Sequence, residues 1–194
     1  VILPKLSSLV DEQNSLEIKN IQNKALELSF FLSFPAAIAL LIASEPTISS
    51  LFGYGSFSQI AVENSSKALF YFAFGLPAFA MIKVFSSFFF ARHDTKTPFL
   101  ISIFSVFSNI FISLIFFQKI GFIILPIATS ISSWINAILL YIFMRKKDLF
   151  KFNDLFKFRF PRIVFASICM GVILYFILDM VSLKIAYDQN LKAF

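Results

Sequence analysis

Charge is scarce in this chain. Only 14% of its 194 residues are Asp, Glu, Lys or Arg, while 58% are hydrophobic and the mean hydropathy is +0.83. Soluble domains carry about a quarter charged residues. A folded chain of this size keeps much of its surface outside, so water is a poor solvent for so apolar a composition and lipid a good one. Cysteine is nearly absent: Cys169 stands alone inside an apolar run, which excludes a disulfide framework and a thiolate metal cluster. The single histidine, His93, has no His or Cys near it in sequence, so no metal site is expected. The five glycines form no phosphate-cradling loop, and no nucleophile elbow occurs. No enzyme chemistry and no organic cofactor are therefore expected. The formal charge of +6 does not point to nucleic acid, because the basic residues flank apolar runs and no basic-aromatic groove pattern lies outside them. The 29 phenylalanines accompany many Ile, Lys, Asn and Ser, which reads as a coding bias rather than an aromatic binding site.

What the sequence has is long apolar runs. A helix needs about 20 mostly apolar residues to cross about 30 Å of hydrocarbon, and unpaired backbone is not tolerated there, so helices are expected. Five runs qualify, at about 26–44, 68–91, 99–117, 120–144 and 163–183. The expected fold class is all-α, a polytopic transmembrane helix bundle. Lys and Arg set the orientation. Lys5, Lys19 and Lys24, then Arg92 and Lys96, then Arg145, Lys146, Lys147, Lys151, Lys157, Arg159 and Arg162 all fall on one side, twelve of the 17 basic residues. Lys67, Lys119, Lys184 and Lys192 fall on the other. The basic side is expected to be cytoplasmic. Between 146 and 162, phenylalanines alternate with cations, which suits either a plain basic loop or a segment lying on anionic lipid with its rings down. Val1-Ile2-Leu3-Pro4 reads as the end of one apolar segment and 191–194 as the opening of another, so the chain is expected to be a piece of a longer protein.

Polar residues inside the runs are the candidate functional groups. Lys83 lies about nine residues from Arg92, roughly 13 Å along a helix. A charge at that depth usually faces a wet cavity or a partner helix, although a snorkelling lysine is the simpler alternative. Asn109 lies midway along the third run, with Ser113 one turn on, and Thr129 lies in the fourth. They can pair between helices or, as hard oxygen donors, hold a monovalent cation. Pro35, Pro77 and Pro126 each fall inside a run and are expected to bend it. Arg92-His93-Asp94-Thr95-Lys96-Thr97-Pro98 is the most compact polar cluster: a hairpin turn in which Asp94 and Thr95 can cap a helix, or a charge-paired gate.

The run Gly75-Leu76-Pro77-Ala78-Phe79, followed by Lys83-Val84, Phe90-Ala91-Arg92, Asp94-Thr95 and Thr97-Pro98, resembles the pattern of the MurJ (MviN) flippase family. Leu3-Pro4-Lys5-Leu6-Ser7, Ala25-Leu26-Glu27-Leu28, Pro35-Ala36-Ala37, Glu45-Pro46, Leu51-Phe52, Gly55, Asn109, Gly121, Ala128-Thr129-Ser130, Trp134 and Asn136-Ala137 agree in order and spacing. The resemblance is good over about 1–147 and rests on hydropathy beyond. It implies part of the C-terminal lobe of a two-lobe MATE-like transporter in the bacterial inner membrane, translocating lipid II by alternating access. The partners implied are lipid II and membrane lipids. Lys83, Arg92 and Asp94 become candidates for the substrate cavity. Some members bind a cation within this lobe, which makes Asn109, Thr129 and the Leu125 carbonyl candidates for Na⁺. An acidic family ligand falls at Ser113 here, which weakens such a site. Export of another polyprenyl-linked glycan, or a scaffold that moves nothing, are the alternatives.

Overall fold

The structure is a computed structural model, and it describes residues 15–192, with side chains for 17–182. The Leu3–Ser7 motif and Lys5 lie outside the described residues, as do the side chains of Lys184 and Lys192. Six α-helices follow in order: α1 (Ser15–Phe52), α2 (Gln59–Ala73), α3 (Leu76–Phe90), α4 (Lys96–Ile120), α5 (Ile124–Lys146) and α6 (Asp154–Lys192). A 3-10 turn, Gly121–Ile123, joins α4 to α5. No strand occurs among the described residues. Three helical stretches, 17–52, 96–146 and 154–182, are long and apolar enough to cross a membrane, and α2 with α3 adds a fourth across a 45° bend. The 96–146 stretch doubles back at Gly121, where φ of 72° and ψ of −152° suit glycine alone. α4 and α5 then run antiparallel, with Ser105 against Ser132 and Asn109 against Thr129.

α1 packs on α2, α3 and α6, and α5 packs on α2, α3 and α4. The outer faces of α4 and α6 stay apolar and uncovered, as Phe104, Phe107, Phe111, Phe165, Phe176 and Met180 show. That distribution suits lipid contact, where the solvent is itself apolar. Gly171 lets α6 approach α1: a Cβ there would lie 2.5 Å from Ile38 Cγ2 and 2.9 Å from Ile42 Cδ1.

The helix breaks differ from those expected of the prolines. Pro35 sits inside α1, but the non-helical residue is Ala43, three before Pro46. Pro46 offers no N–H and its ring crowds the preceding turn, so the distortion falls there. The expected run at 68–91 is two helices, beginning at Gln59 and parting at 74–75, with Pro77 in the first turn of α3. Pro126 likewise occupies the first turn of α5, where no helical N–H is lost, so it bends nothing.

The basic segment after α5 is irregular over 147–153 and helical from Asp154. Part of its aromatic set packs inward. Phe150 and Phe156 are buried, inside a cluster with Phe30, Phe85 and Phe88. Phe150–Phe152 and Phe152–Phe156 have ring centroids 4.9 Å apart. Such pairs add about 0.5–1.5 kcal/mol each beyond the area they bury. From Asp154 the segment is already helix, with the Asn153 side chain accepting from the Phe156 N–H at 2.8 Å as an N-cap. Only Phe158, at 62% exposure, faces outward as the alternation suggests.

Candidate functional site

Three parts of the chain meet at the basic end of the bundle. α3 and α5 both stop there with a residue in the left-handed region, His93 (φ 58°) and Asp148 (φ 52°). His and Asp tolerate that conformation better than most non-glycine residues. In each case the next N–H returns five residues, Asp94 to the Phe89 carbonyl at 3.1 Å and Leu149 to Met144 at 3.0 Å. These closures satisfy helix-end carbonyls and bring Asp94 beside Lys147, with Nζ to Oδ2 at 2.7 Å. Asp94 also caps α4, accepting from the Thr97 N–H at 3.0 Å and its hydroxyl at 2.8 Å. Thr95 makes no side-chain cap. The Lys147 ammonium holds the Asp94 carboxyl well below the usual range, at about 2, with the Thr97 donors acting the same way against burial.

Beneath this pair lie Gln22 and Asn23, both buried in α1. Asn23 donates to the carbonyls of Lys19 at 2.8 Å and Lys151 at 2.9 Å, and accepts from the Asn153 N–H at 3.1 Å. With its amide oriented to satisfy both neighbours, Gln22 donates to the Leu149 carbonyl at 3.1 Å and accepts from Arg92 Nη1 at 3.2 Å. Arg92 also donates to its own helix, to the Phe88 carbonyl at 3.3 Å. Arg159 reaches Glu27 at 3.1 Å. Arg92 and Asp94, both candidates from the sequence, thus sit in one polar layer that ties α1, the α3–α4 turn and the α5–α6 connector together. Gln22, Asn23 and Lys147 were missed. Read along the chain, Gln22 and Asn23 are ordinary polar residues before an apolar run, and Lys147 is one of three consecutive basic residues, so no signal singled them out.

A second polar feature runs between α4 and α5. The Thr129 hydroxyl donates to the Leu125 carbonyl at 2.8 Å, and the Ser132 hydroxyl to the Thr129 carbonyl at 3.0 Å. Both protons are committed, so these oxygens can only accept from Asn109, whose Nδ2 lies 3.1 and 3.2 Å away. Ser113 donates to Asn109 Oδ1 at 3.4 Å, and Ser105 to the Ser132 carbonyl at 2.6 Å. Asn109, Thr129 and Leu125 therefore do come together, as a hydrogen-bonded seam. Their oxygens are neutral, a donor set that could hold a monovalent cation weakly and suits a divalent one poorly.

The α2–α3 break leaves backbone carbonyls without helical donors, and α5 supplies substitutes. Ser130 donates to the Tyr71 carbonyl at 2.6 Å, and Trp134 Nε1 to Phe74 at 3.0 Å. A bent helix inside a membrane is tolerated when neighbouring side chains satisfy it in this way. Lys83, in contrast, is exposed, on a stripe of α3 with Phe79 and Phe90 that no described helix covers. It meets no ion-pair partner among the described residues.

The chain as a whole has counterparts among known proteins. The family model for the lipid II flippase MurJ matches residues 1–190. The chain belongs to the MurJ family. The match runs well past 147, over α6, where the sequence pattern alone was thin. A probable lipid II flippase MurJ of Rhizobium meliloti (strain 1021) is 35% identical over 179 residues, covering 92% of this chain and 34% of that protein. One from Rickettsia prowazekii (strain Madrid E) is 30% identical, covering 90% of this chain and 34% of its own length. The chain thus spans about a third of the length of these MurJ relatives. The solved structure of a lipid II flippase MurJ in an inward closed conformation superposes with a TM-score of 0.73 over 96% of this chain and 42% of that one, at 24% identity. The fold is that of a MurJ helix bundle.

Proposed function

We propose that this chain is most of the C-terminal lobe of a flippase that carries lipid II across the bacterial inner membrane by alternating access, without covalent chemistry. The observation that carries this reading is the family match over 1–190. In it, α1, the α2–α3 pair, α4, α5 and α6 make five crossings. The polar layer at the basic end faces the cytoplasm, because basic loops are retained there. The bend between α2 and α3 supports a rocking mechanism, since broken helices at membrane depth commonly accompany lobe motion. The polar layer built on Asn23, Gln22, Arg92 and Asp94 makes α1, α3, α4 and the start of α6 one rigid unit at that face. Lys83 lies on the uncovered stripe and is the cation offered to an anionic substrate or to the other lobe. Asn109, Thr129 and the Leu125 carbonyl are proposed as a weak Na⁺ site. Filling it requires the Asn109 amide to turn its oxygen towards Thr129.

The test is complementation of a strain depleted of its own lipid II flippase by the full-length protein, with labelled lipid II exposure read in spheroplasts. Restored growth and exposure are expected. Growth failure with normal membrane insertion, together with accumulation of a different polyprenyl-linked glycan in the native host on depletion, would move the assignment to that glycan. No transport phenotype in either host would leave a scaffold.

A further inference from the structure

We propose that the crevice between α1 and α6 at the basic end binds an anionic phospholipid of the adjacent leaflet, with Arg162 on the phosphate and one acyl chain in the groove. The crevice has a volume of about 300 Å³ and is lined by Phe31, Pro35, Ile163, Ala166 and Met170, with Ser167 and with Arg162 at its mouth. Its walls offer no hydrogen bond to a polar guest: Pro35 has no N–H, and the buried Ser167 hydroxyl already donates to the Ile163 carbonyl at 2.7 Å. One turn deeper, Gly171 brings α6 onto Ile38 and closes the floor. From Arg162 to Met170 the groove runs roughly 12 Å along the helix, the direction an acyl chain takes from the headgroup layer.

Charge decides the headgroup. Lys157 is paired with Asp154 at 2.9 Å and Arg159 with Glu27 at 3.1 Å. Arg162 has no carboxylate in ion-pair range among the described residues. Its guanidinium lies instead over the Phe158 ring, 4.0 Å from the centroid. Stacking fixes the planar cation while leaving its N–H edges for a phosphate, which guanidinium binds in a forked geometry. An apolar slot beneath an unpaired, pre-positioned cation suits a lipid phosphate with its acyl chain, and a headgroup without a cation of its own is favoured because it adds no positive charge beside Arg162. The proposal does not depend on which lipid-linked substrate is carried.

The experiment uses the full-length protein in detergent, titrated with dioleoylphosphatidylglycerol or dioleoylphosphatidylcholine and read by native mass spectrometry. The first phosphatidylglycerol is expected to bind the wild type more tightly than phosphatidylcholine does. Arg162→Gln should weaken it at least about fivefold. Ala166→Trp, which fills the groove and keeps the cation, should weaken it as well. Inorganic phosphate in excess should not compete. Wild-type binding by both variants, equal binding of the two lipids, or displacement by phosphate would each overturn the site. A photoreactive side chain at position 166 that crosslinks to protein rather than to lipid would overturn it too, by showing a segment of the longer protein in the groove.

Discussion

Removing the Asn23 side chain should free the connector between α5 and α6. Asn23 is 2% exposed, and its amide holds the Lys151 carbonyl and the Asn153 N–H across the interface. Alanine deletes both bonds and leaves two backbone groups to find water or stay unpaired, at about 1–3 kcal/mol each. Since Lys151 itself is exposed, its carbonyl recovers some hydration, and the net cost is placed at about 2–4 kcal/mol. The loss is local, because the aromatic cluster around Phe85 and Phe88 does not involve Asn23. A local opening equilibrium shifted by that amount rises roughly 30-fold to several hundred-fold. Trypsin applied to inside-out vesicles should then cut at Lys147 and Lys151 more than tenfold faster in Asn23→Ala, with hydrogen exchange rising over 148–153 and not in α4. Asn23→Asp keeps the acceptor for Asn153 but turns a second oxygen on the Lys151 carbonyl, so it should also open the connector. Unchanged cleavage in a correctly inserted Asn23→Ala protein would mean that Phe150 and Phe156 alone hold the segment, and the reasoning from the amide would be refuted.

Gly171→Ala should destabilise the α1–α6 contact by about 1–3 kcal/mol, an overpacking cost, read as a lower melting temperature in detergent; Ile38→Ala should relieve it, and additive effects would count against the close approach. Asp94 should contribute stability that is full above about pH 4 and disappears as the pH falls through about 2, because its folded pKa is depressed by Lys147. Lys147 is half exposed and Asp94 only partly buried, so solvent screens the pair and the contribution stays near about 1 kcal/mol, the upper end for a surface ion pair; Asp94→Asn should flatten the acid limb of the stability curve. Lys83→Ala in the full-length protein should impair complementation at normal membrane levels; full growth would make Lys83 a snorkelling residue. Asn109→Ala should reduce any dependence of lipid II translocation on a sodium gradient in vesicles, and an identical gradient response in variant and wild type would leave the seam purely structural.

How much of this was legible beforehand differs from residue to residue. That the chain is helical and meant for lipid was decided by composition and by apolar runs, because hydropathy is a local property that needs no knowledge of neighbours. The motif from Gly75 to Pro98 pointed to the family for the same reason: order and spacing are written in one dimension. Even the gathering of Arg92 and Asp94 with the later basic residues at one end follows from counting crossings. The pairings needed the packed bundle. Phe150 and Phe156 look like lipid-facing rings when read along the chain, and only the approach of α1 and α3 buries them. Gln22 and Asn23 look like surface polar residues until the connector folds over them. The position of the α2–α3 break depends on Ser130 and Trp134 reaching across from α5, since a proline says where a helix is weakened but not whether a neighbour will satisfy the carbonyls it frees. That the Asn109 amide donates to the Thr129 and Ser132 hydroxyls follows from where those hydroxyls send their own protons, and that direction is set by helix packing that no single stretch of sequence encodes.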